Sequence, residues 1–409
     1  MKIIELVLYA ALASPIGFGA GVASEVPDSN KAVVGTLDDP RGGLTSAKTL
    51  VEPTPLVMQT VSEPIPFKGG DGHYHLMYEV QLENYTGDIV RAGQLNVLDA
   101  QNHTVIANFN AAAIASRLVV RDRRAVPGEL GASQLGLLYL HLISEHLQDI
   151  PRAVEHRLTM TSKDSTISST AARLLVQVPT QLVIDAPLRG KRFIAGDGCC
   201  DSTRHVRATL ALNGQAFDSQ RFAIDWEQLD ASARIYVGAD SKDPNSYVIY
   251  GQPAYAVADA RVIAAVDGLA NSPIGAFPAG LPIDQADGNH VVLDLGDGHY
   301  VLYAHFAPHS VQVHEGQFVH RGQVLGKVGT SGNSSEPHLH FQVTDGPSTF
   351  LSSGVPYLLP KFTATHAGAS TKAFDQAIID GKPIATVPLP GPPQHERELP
   401  LDLWIVDLP

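Results

Sequence analysis

Pro337-His338-Leu339-His340-Phe341-Gln342-Val343 alternates polar and apolar residues with the two-residue period of a β-strand. His338 and His340 therefore project from one face. Leu339, Phe341 and Val343 project from the other, where they anchor the strand in a core. Two imidazoles on one side of a rigid strand make a start for a metal site, because neutral histidine is a common zinc ligand. By itself the pair is equally two solvated side chains on an open sheet face. Its neighbours decide between the two.

Immediately upstream runs Val324-Leu325-Gly326-Lys327-Val328-Gly329-Thr330-Ser331-Gly332-Asn333, then Ser334, Ser335 and Glu336. Earlier come Tyr303-Ala304-His305-Phe306 and two turns, Glu315-Gly316-Gln317 and Arg321-Gly322-Gln323. In this order the elements resemble the lysostaphin-type zinc peptidases (LytM-like domains), which carry a Tyr-x-His segment, a Gly-rich turn and a closing His-x-His strand. The resemblance spans roughly residues 250–345.

The family also uses an earlier histidine and aspartate, four residues apart in its common form. Arg221-Phe222-Ala223-Ile224-Asp225-Trp226 resembles the aspartate strand, but position 221 is arginine. A guanidinium has no lone pair to offer a metal. The segment Cys199-Cys200-Asp201-Ser202-Thr203-Arg204-His205 offers His205 instead. The apolar run 208–212 and an Asn213-Gly214 turn lie between it and Asp225, and a hairpin there brings the two together. Some divergent relatives resemble this arrangement. Cys199 and Cys200 are chemically able donors close by and compete with His205.

The resemblance implies His205, Asp225 and His340 around one Zn²⁺ per chain. Three protein ligands leave the fourth tetrahedral position to water, the pattern of a catalytic site. It implies His305 and His338 as the non-ligand catalytic histidines. One deprotonates or orients the water, and the other stabilises the oxyanion. The implied activity is that of a zinc metalloendopeptidase of the cell envelope, acting on peptide bonds of peptidoglycan or another peptide substrate. A second reading from a different class is an inactive module that binds peptidoglycan or a partner. His290, His299, His309, His314 and His320 read as solvated, with His299 and His309 near enough to support the ligands.

The expected fold is all-β: an N-terminal β-sandwich followed by a lysostaphin-type antiparallel β-sheet peptidase domain. Gly296-Asp297-Gly298 splits residues 288–306 into a hairpin, and residues 253–268 read as two strands around Ala258-Asp259. In the N-terminal half, short apolar runs separated by turn signals suggest an immunoglobulin-like sandwich. They include residues 74–84, GQLNVLDA (93–100), GLLYLHLI (136–143), EHRLTMTS (155–162) and ARLLVQVP (172–179). The expected organisation is a signal peptide at 1–24, a flexible leader at 25–50, a sandwich at 51–185 and a peptidase domain at 186–360. A C-terminal extension, 361–409, reads as an extended wrap with one or two late strands.

With 409 residues the chain is too long for one ordinary core. A hydrophobic fraction of 44% against 17% charged residues points to globular structure. The net charge of −13 offers no electrostatic footprint for nucleic acid. Lys2, an apolar stretch and small residues at Gly21, Ala23 and Ser24 resemble a secretory signal, which implies a periplasmic or secreted protein. No other segment is long and apolar enough for a transmembrane span. The two cysteines are adjacent, so an ordinary stabilising disulfide between them is not expected. No HExxH, P-loop or dinucleotide fingerprint occurs.

Overall fold

The strand Tyr74–Asn84 is buried along nearly its whole length, and its two faces serve two different cores. Leu76, Tyr78, Val80 and Leu82 point into one core, while Met77 joins the other. This is a computed structural model, and it describes residues 54–409 apart from 123, 164, 202, 203 and 239. The expected signal peptide (1–24) and leader (25–50) lie outside the described residues. No helix among the described residues is long and apolar enough to cross a membrane.

The first core lies between two antiparallel sheets. One has the order Leu56–Thr60, Tyr74–Asn84, Leu135–Ser144, Leu118–Val120, with Phe67–Lys68 beside Tyr74–Asn84. The other has the order Ser165–Leu175, Ala153–Ser162, Val90–Asp99, Val105–Asn110, with Glu129–Leu130 beside Val90–Asp99. Alternation drives this packing: Val154, Leu158 and Met160 of one strand are all inward and fully buried. His156 shares their face. It accepts from the Tyr78 hydroxyl at 2.9 Å, and its Nδ1–H donates to the Ala172 carbonyl at 2.9 Å. Both of its polar atoms are thereby satisfied inside the core.

The second core underlies an eleven-stranded sheet. Its order is Phe318–Val319, Ala260–Val266, Asn289–Asp294, Tyr300–Phe306, Leu339–Thr344, Ile224–Gln228, Gly190–Gly196, Trp404–Leu408, Leu359–Gly368, Thr386–Pro388, and Gln394–Glu398 also pairs with Leu359–Gly368. All of these pairings are antiparallel. Tyr303, Phe306, Trp226, Leu339, Phe341 and Val343 fill the space beneath it. The hairpin at 289–306 forms as expected, with Leu293 opposite Val301.

The tail is more structured than an extended wrap. Trp404–Leu408 is inserted between Gly190–Gly196 and Leu359–Gly368. Three strands follow residue 380, and a helix, Thr371–Asp380, precedes them. The Ser370 side chain caps that helix by accepting from the Ala373 amide, Gly381 closes it at φ 64°, and Phe374 and Ala377 form its buried side.

Sandwich and eleven-stranded sheet belong to one compact unit. A buried ion pair joins them. Glu79 projects from Tyr74–Asn84 and is 0% exposed; Arg221 is 3% exposed. Arg221 Nε donates to Glu79 Oε1 at 3.0 Å, and Nη2 donates to Ser62 Oγ at 2.8 Å. Nη2 also pairs with Glu79 Oε2 and with Asp218. The arginine four residues before Asp225 is thus turned away from the candidate site and into the sandwich.

Removing one partner strands the other charge in the interior. Arg221→Met is expected to cost about 3–5 kcal/mol by denaturant unfolding, and R221M/E79L to recover only part of that loss, because Asp218, also buried, still loses its partner. A second prediction concerns acid. Burial pushes His156 down to about 4 from an ordinary 6.5. The unfolded chain then binds a proton that the folded chain refuses. Stability is full above pH 6.5 and falls as pH drops toward 4, by roughly 3 kcal/mol in all. His156→Gln, which keeps an acceptor for Tyr78, is expected to lose that slope in pH-dependent unfolding.

Candidate metal centre

Strand pairing brings the first two residues of the centre together. Ile224–Gln228 runs antiparallel to Leu339–Thr344 with Asp225 directly opposite His340, flanked by Ile224–Phe341 and Trp226–Leu339 pairs. Opposite residues of a pair share a sheet face, so both side chains stand on the side away from the aromatic core. Tyr300–Phe306 lies along the other edge of Leu339–Thr344, with Ala304 opposite His340. That pairing carries His305 to the strand end, where it adopts φ 65°. A left-handed conformation in a non-glycine residue persists only where its surroundings enforce it.

His205 arrives from outside the sheet, on the short 3₁₀ turn His205–Arg207. The intervening chain folds into the two-stranded hairpin Leu210–Leu212 and Gln215–Phe217. Asn213 at φ 50° and Gly214 at φ 79° make its turn, as an Asn-Gly hairpin requires. His205 Nε2 comes to 3.4 Å from Asp225 Oδ2. One ligand atom from each of His205, Asp225 and His340 lies within 4.8 Å of the others.

Hydrogen bonds behind the rings set their orientation. Gln342 Nε2 donates to the Thr349 carbonyl at 2.9 Å, which fixes the amide and turns its oxygen toward His340. His340 Nε2–H then donates to Gln342 Oε1 at 2.9 Å, and His340 Nδ1 faces Asp225 Oδ1 at 2.8 Å. His305 Nδ1–H donates to the Ser331 carbonyl at 2.7 Å, and His338 Nδ1–H to the Glu336 carbonyl at 2.8 Å. With Nδ1 engaged in this way, each of these two rings has its Nε2 left for the site. His338 Nε2 is 3.5 Å from Asp225 Oδ1, and the His305 and His338 ring centres are 4.7 Å apart.

Burial would raise the Asp225 carboxyl, but electrostatic attraction to the His205 and His338 rings and the hydrogen bond with His340 outweigh it and hold Asp225 well below the usual range. Burial pushes His205 and His305 down, and the neighbouring imidazoles lower His305 further. His340 is the exception. Its hydrogen bond to Asp225 overcomes burial and raises it. A second pair of carboxyls lies near: burial, reinforced by other acids, raises Glu227 and Glu336.

The donor set fits a zinc ion. It comprises two imidazole nitrogens and one ionised carboxylate, the types that zinc accepts. The His340 tautomer that Gln342 selects leaves Nδ1 free for a cation that would take the place of the proton facing Asp225. Among the described residues, His205 Nδ1 is buried without a hydrogen-bond partner.

All five sequence-derived site residues therefore meet at one place. The expected supporting roles of His299 and His309 do not hold. His299 pairs with Asp297 in the exposed hairpin loop, and the His309 amide binds Asp267. Gln342 and the carbonyls of Ser331 and Glu336 take those roles. Gln342 was foreshadowed by the alternation that pairs His338 with His340, continued by two residues. Cys199 and Cys200 are joined to each other by a disulfide, contrary to expectation, and Cys200 lies against His75 rather than Asp225.

Residues 246–350 match the family described as Peptidase family M23. Over 95 residues the chain is 32% identical to the peptidoglycan DD-endopeptidase ShyA of Vibrio cholerae. That match takes in 22% of this chain and spans only 22% of the relative's own length. Among solved structures, the catalytic domain of lysostaphin from Staphylococcus simulans is 21% identical with a TM-score of 0.22, covering 39% of this chain and 84% of that one. A zinc-containing peptidase from Vibrio cholerae is 12% identical with a TM-score of 0.25, covering 67% and 79%. The chain carries a lysostaphin-type, LytM-like domain. His305, His338 and His340 lie within the matched residues, and His205 and Asp225 precede them.

Proposed function

We propose that the protein is a zinc-dependent endopeptidase that hydrolyses peptide bonds of peptidoglycan in the cell envelope. The observation that carries this reading is the convergence of His205, across an inserted hairpin, on the Asp225–His340 strand pair. His205, Asp225 and His340 would hold the ion. Bound there, zinc would supply Lewis acidity, which would lower the pKa of a water toward about 7 and polarise the scissile carbonyl. Asp225 stays ionised and offsets the ion's charge. His305 and His338 have their Nε2 atoms left for the site, and a neutral imidazole there can act as a general base. One takes the proton of the attacking water and delivers it to the leaving amine. The other, carrying a proton taken from solvent, donates a hydrogen bond to the tetrahedral oxyanion and keeps that proton. Ser331 and Glu336 hold the two rings in register through their carbonyls.

The substrate class follows from the matched relative, named as a peptidoglycan DD-endopeptidase. The signal-like N-terminus is consistent with export to the periplasm or beyond. Residues 51–185 serve in this reading as a sandwich domain, 186–360 as the peptidase domain and 361–409 as an extension that completes its sheet.

His205→Ala is expected to lose both bound zinc and hydrolysis of peptidoglycan peptides. His305→Ala is expected to keep zinc while kcat falls about 10²–10⁴-fold. Metal analysis beside a peptide-release assay checks both. Full zinc retention in His205→Ala would overturn the ligand assignment, and zinc-loaded wild type without turnover would leave a binding module. Gln342→Leu removes the acceptor that orients His340 and is expected to weaken zinc binding about 10–100-fold in chelator competition.

A further inference from the structure

A second group of metal-binding side chains lies between the sandwich and the peptidase sheet, apart from the centre described above. His75 and His141 sit on paired strands of the sandwich, one on Tyr74–Asn84 and one on Leu135–Ser144. Cys200 reaches them from the chain that follows Gly190–Gly196. His75 Nδ1 and His141 Nε2 are 2.8 Å apart, and Cys200 Sγ is 3.7 Å from His75 Nδ1. One ligand atom from each of the three residues lies within 4.8 Å of the others. His75 is 2% exposed and Cys200 6%.

Each ring is held from behind by a carboxylate. His75 Nε2–H donates to Asp71 Oδ1 at 2.9 Å, and His141 Nδ1–H donates to Asp201 Oδ2 at 3.1 Å. With both outer nitrogens protonated, both inner nitrogens present lone pairs. Two facing lone pairs at this distance repel unless a cation or a shared proton lies between them. A carboxylate behind each imidazole is also the arrangement that orients ligating histidines. The His75 ring has little freedom: it stacks on Phe67 at 5.4 Å and on His141 at 5.1 Å. Gly69 makes room for it, since a Cβ there would come within 2.5 Å of His75 Nε2.

We propose that His75, His141 and Cys200 form a second metal site, for a thiophilic divalent cation of the zinc type, available when the Cys199–Cys200 disulfide is reduced. In the disulfide, Cys200 sulfur is bonded to Cys199 and is no thiolate. A dithiol donor opens the bond: two electrons and two protons pass to the two cysteine sulfurs, and the donor leaves as its own disulfide. On coordination the Cys200 thiol gives its proton to solvent, and the thiolate joins two neutral imidazoles. One thiolate and two imidazoles suit a zinc-type ion better than a hard oxygen-seeking one. Two ligands come from the sandwich and one from the peptidase module, so the bound ion ties the two together. No residue is shared with the His205–Asp225–His340 centre.

Cobalt(II) alone is the probe, because a thiolate ligand gives a near-ultraviolet charge-transfer band and the other centre contains no thiolate. The full chain is reduced with a dithiol under argon, freed of it by gel filtration and titrated beside the oxidised protein. The reduced form is expected to take up one further equivalent, with the band. Cys200→Ser and His141→Gln, with folding checked by circular dichroism, are expected to lose that equivalent and the band; Asp225→Ala is expected to keep the band. Reduced wild type that binds no more cobalt than the oxidised form, or a band that survives in Cys200→Ser, would overturn the proposal. A failure at Asp225 alone would bear on the peptidase reading and leave this one standing.

Discussion

The pairing of Ile224–Gln228 with Leu339–Thr344 is the constraint on which the candidate centre depends. Its register sets Asp225 against His340. A slip of one residue would turn the acid into the aromatic core and Trp226 out of it, because alternate side chains lie on opposite faces. The core enforces the register from below, through Trp226, Leu339, Phe341 and Tyr303, each fully buried. Leu339–Thr344 is flanked on its other edge by the strand that carries His305. Two strand pairings thus place three of the five side chains, and packing on the hidden face keeps them there.

The sandwich contributes to the same end without touching the centre. Tyr74–Asn84 presents one face to its own core and the other to the core beneath the eleven-stranded sheet, through His75, Met77 and Glu79. Glu79 captures Arg221, which begins the segment leading into the aspartate strand. A buried ion pair is weak evidence for net stability, but it defines position sharply, since either charge alone is costly to bury. The entry to the aspartate strand is therefore referenced to the sandwich. The tail strand Trp404–Leu408 fixes the other side, by pairing with Gly190–Gly196, which itself pairs with Ile224–Gln228.

What could be read from the sequence was what local periodicity encodes. The alternation in 337–343 gave the strand, its buried face and its histidine face. Gly296-Asp297-Gly298 and Asn213-Gly214 gave the two hairpins, one of which delivers His205. Legibility fell away wherever contacts join distant segments. Nothing near Arg221 announces Glu79, which lies far earlier in the chain. Nothing in residues 404–408 reveals that they enter the middle of a sheet. The helix Thr371–Asp380 falls within a tail that reads as extended chain, although Ser370 and Gly381 mark its ends. The adjacent cysteines were judged by the geometry of ordinary disulfides and form one nonetheless. Gln342 needed only the strand period to be followed one step further.

The central claim is that His205 completes a three-residue zinc centre in place of a histidine at position 221. Crystals of the zinc-loaded full chain, measured at wavelengths on either side of the zinc absorption edge, test it most directly. The account predicts an anomalous peak at about 2.0–2.2 Å from His205, Asp225 and His340. Zinc held by Asp225 and His340 with a cysteine or His338 as third ligand, or no zinc beside Asp225 at all, would contradict it.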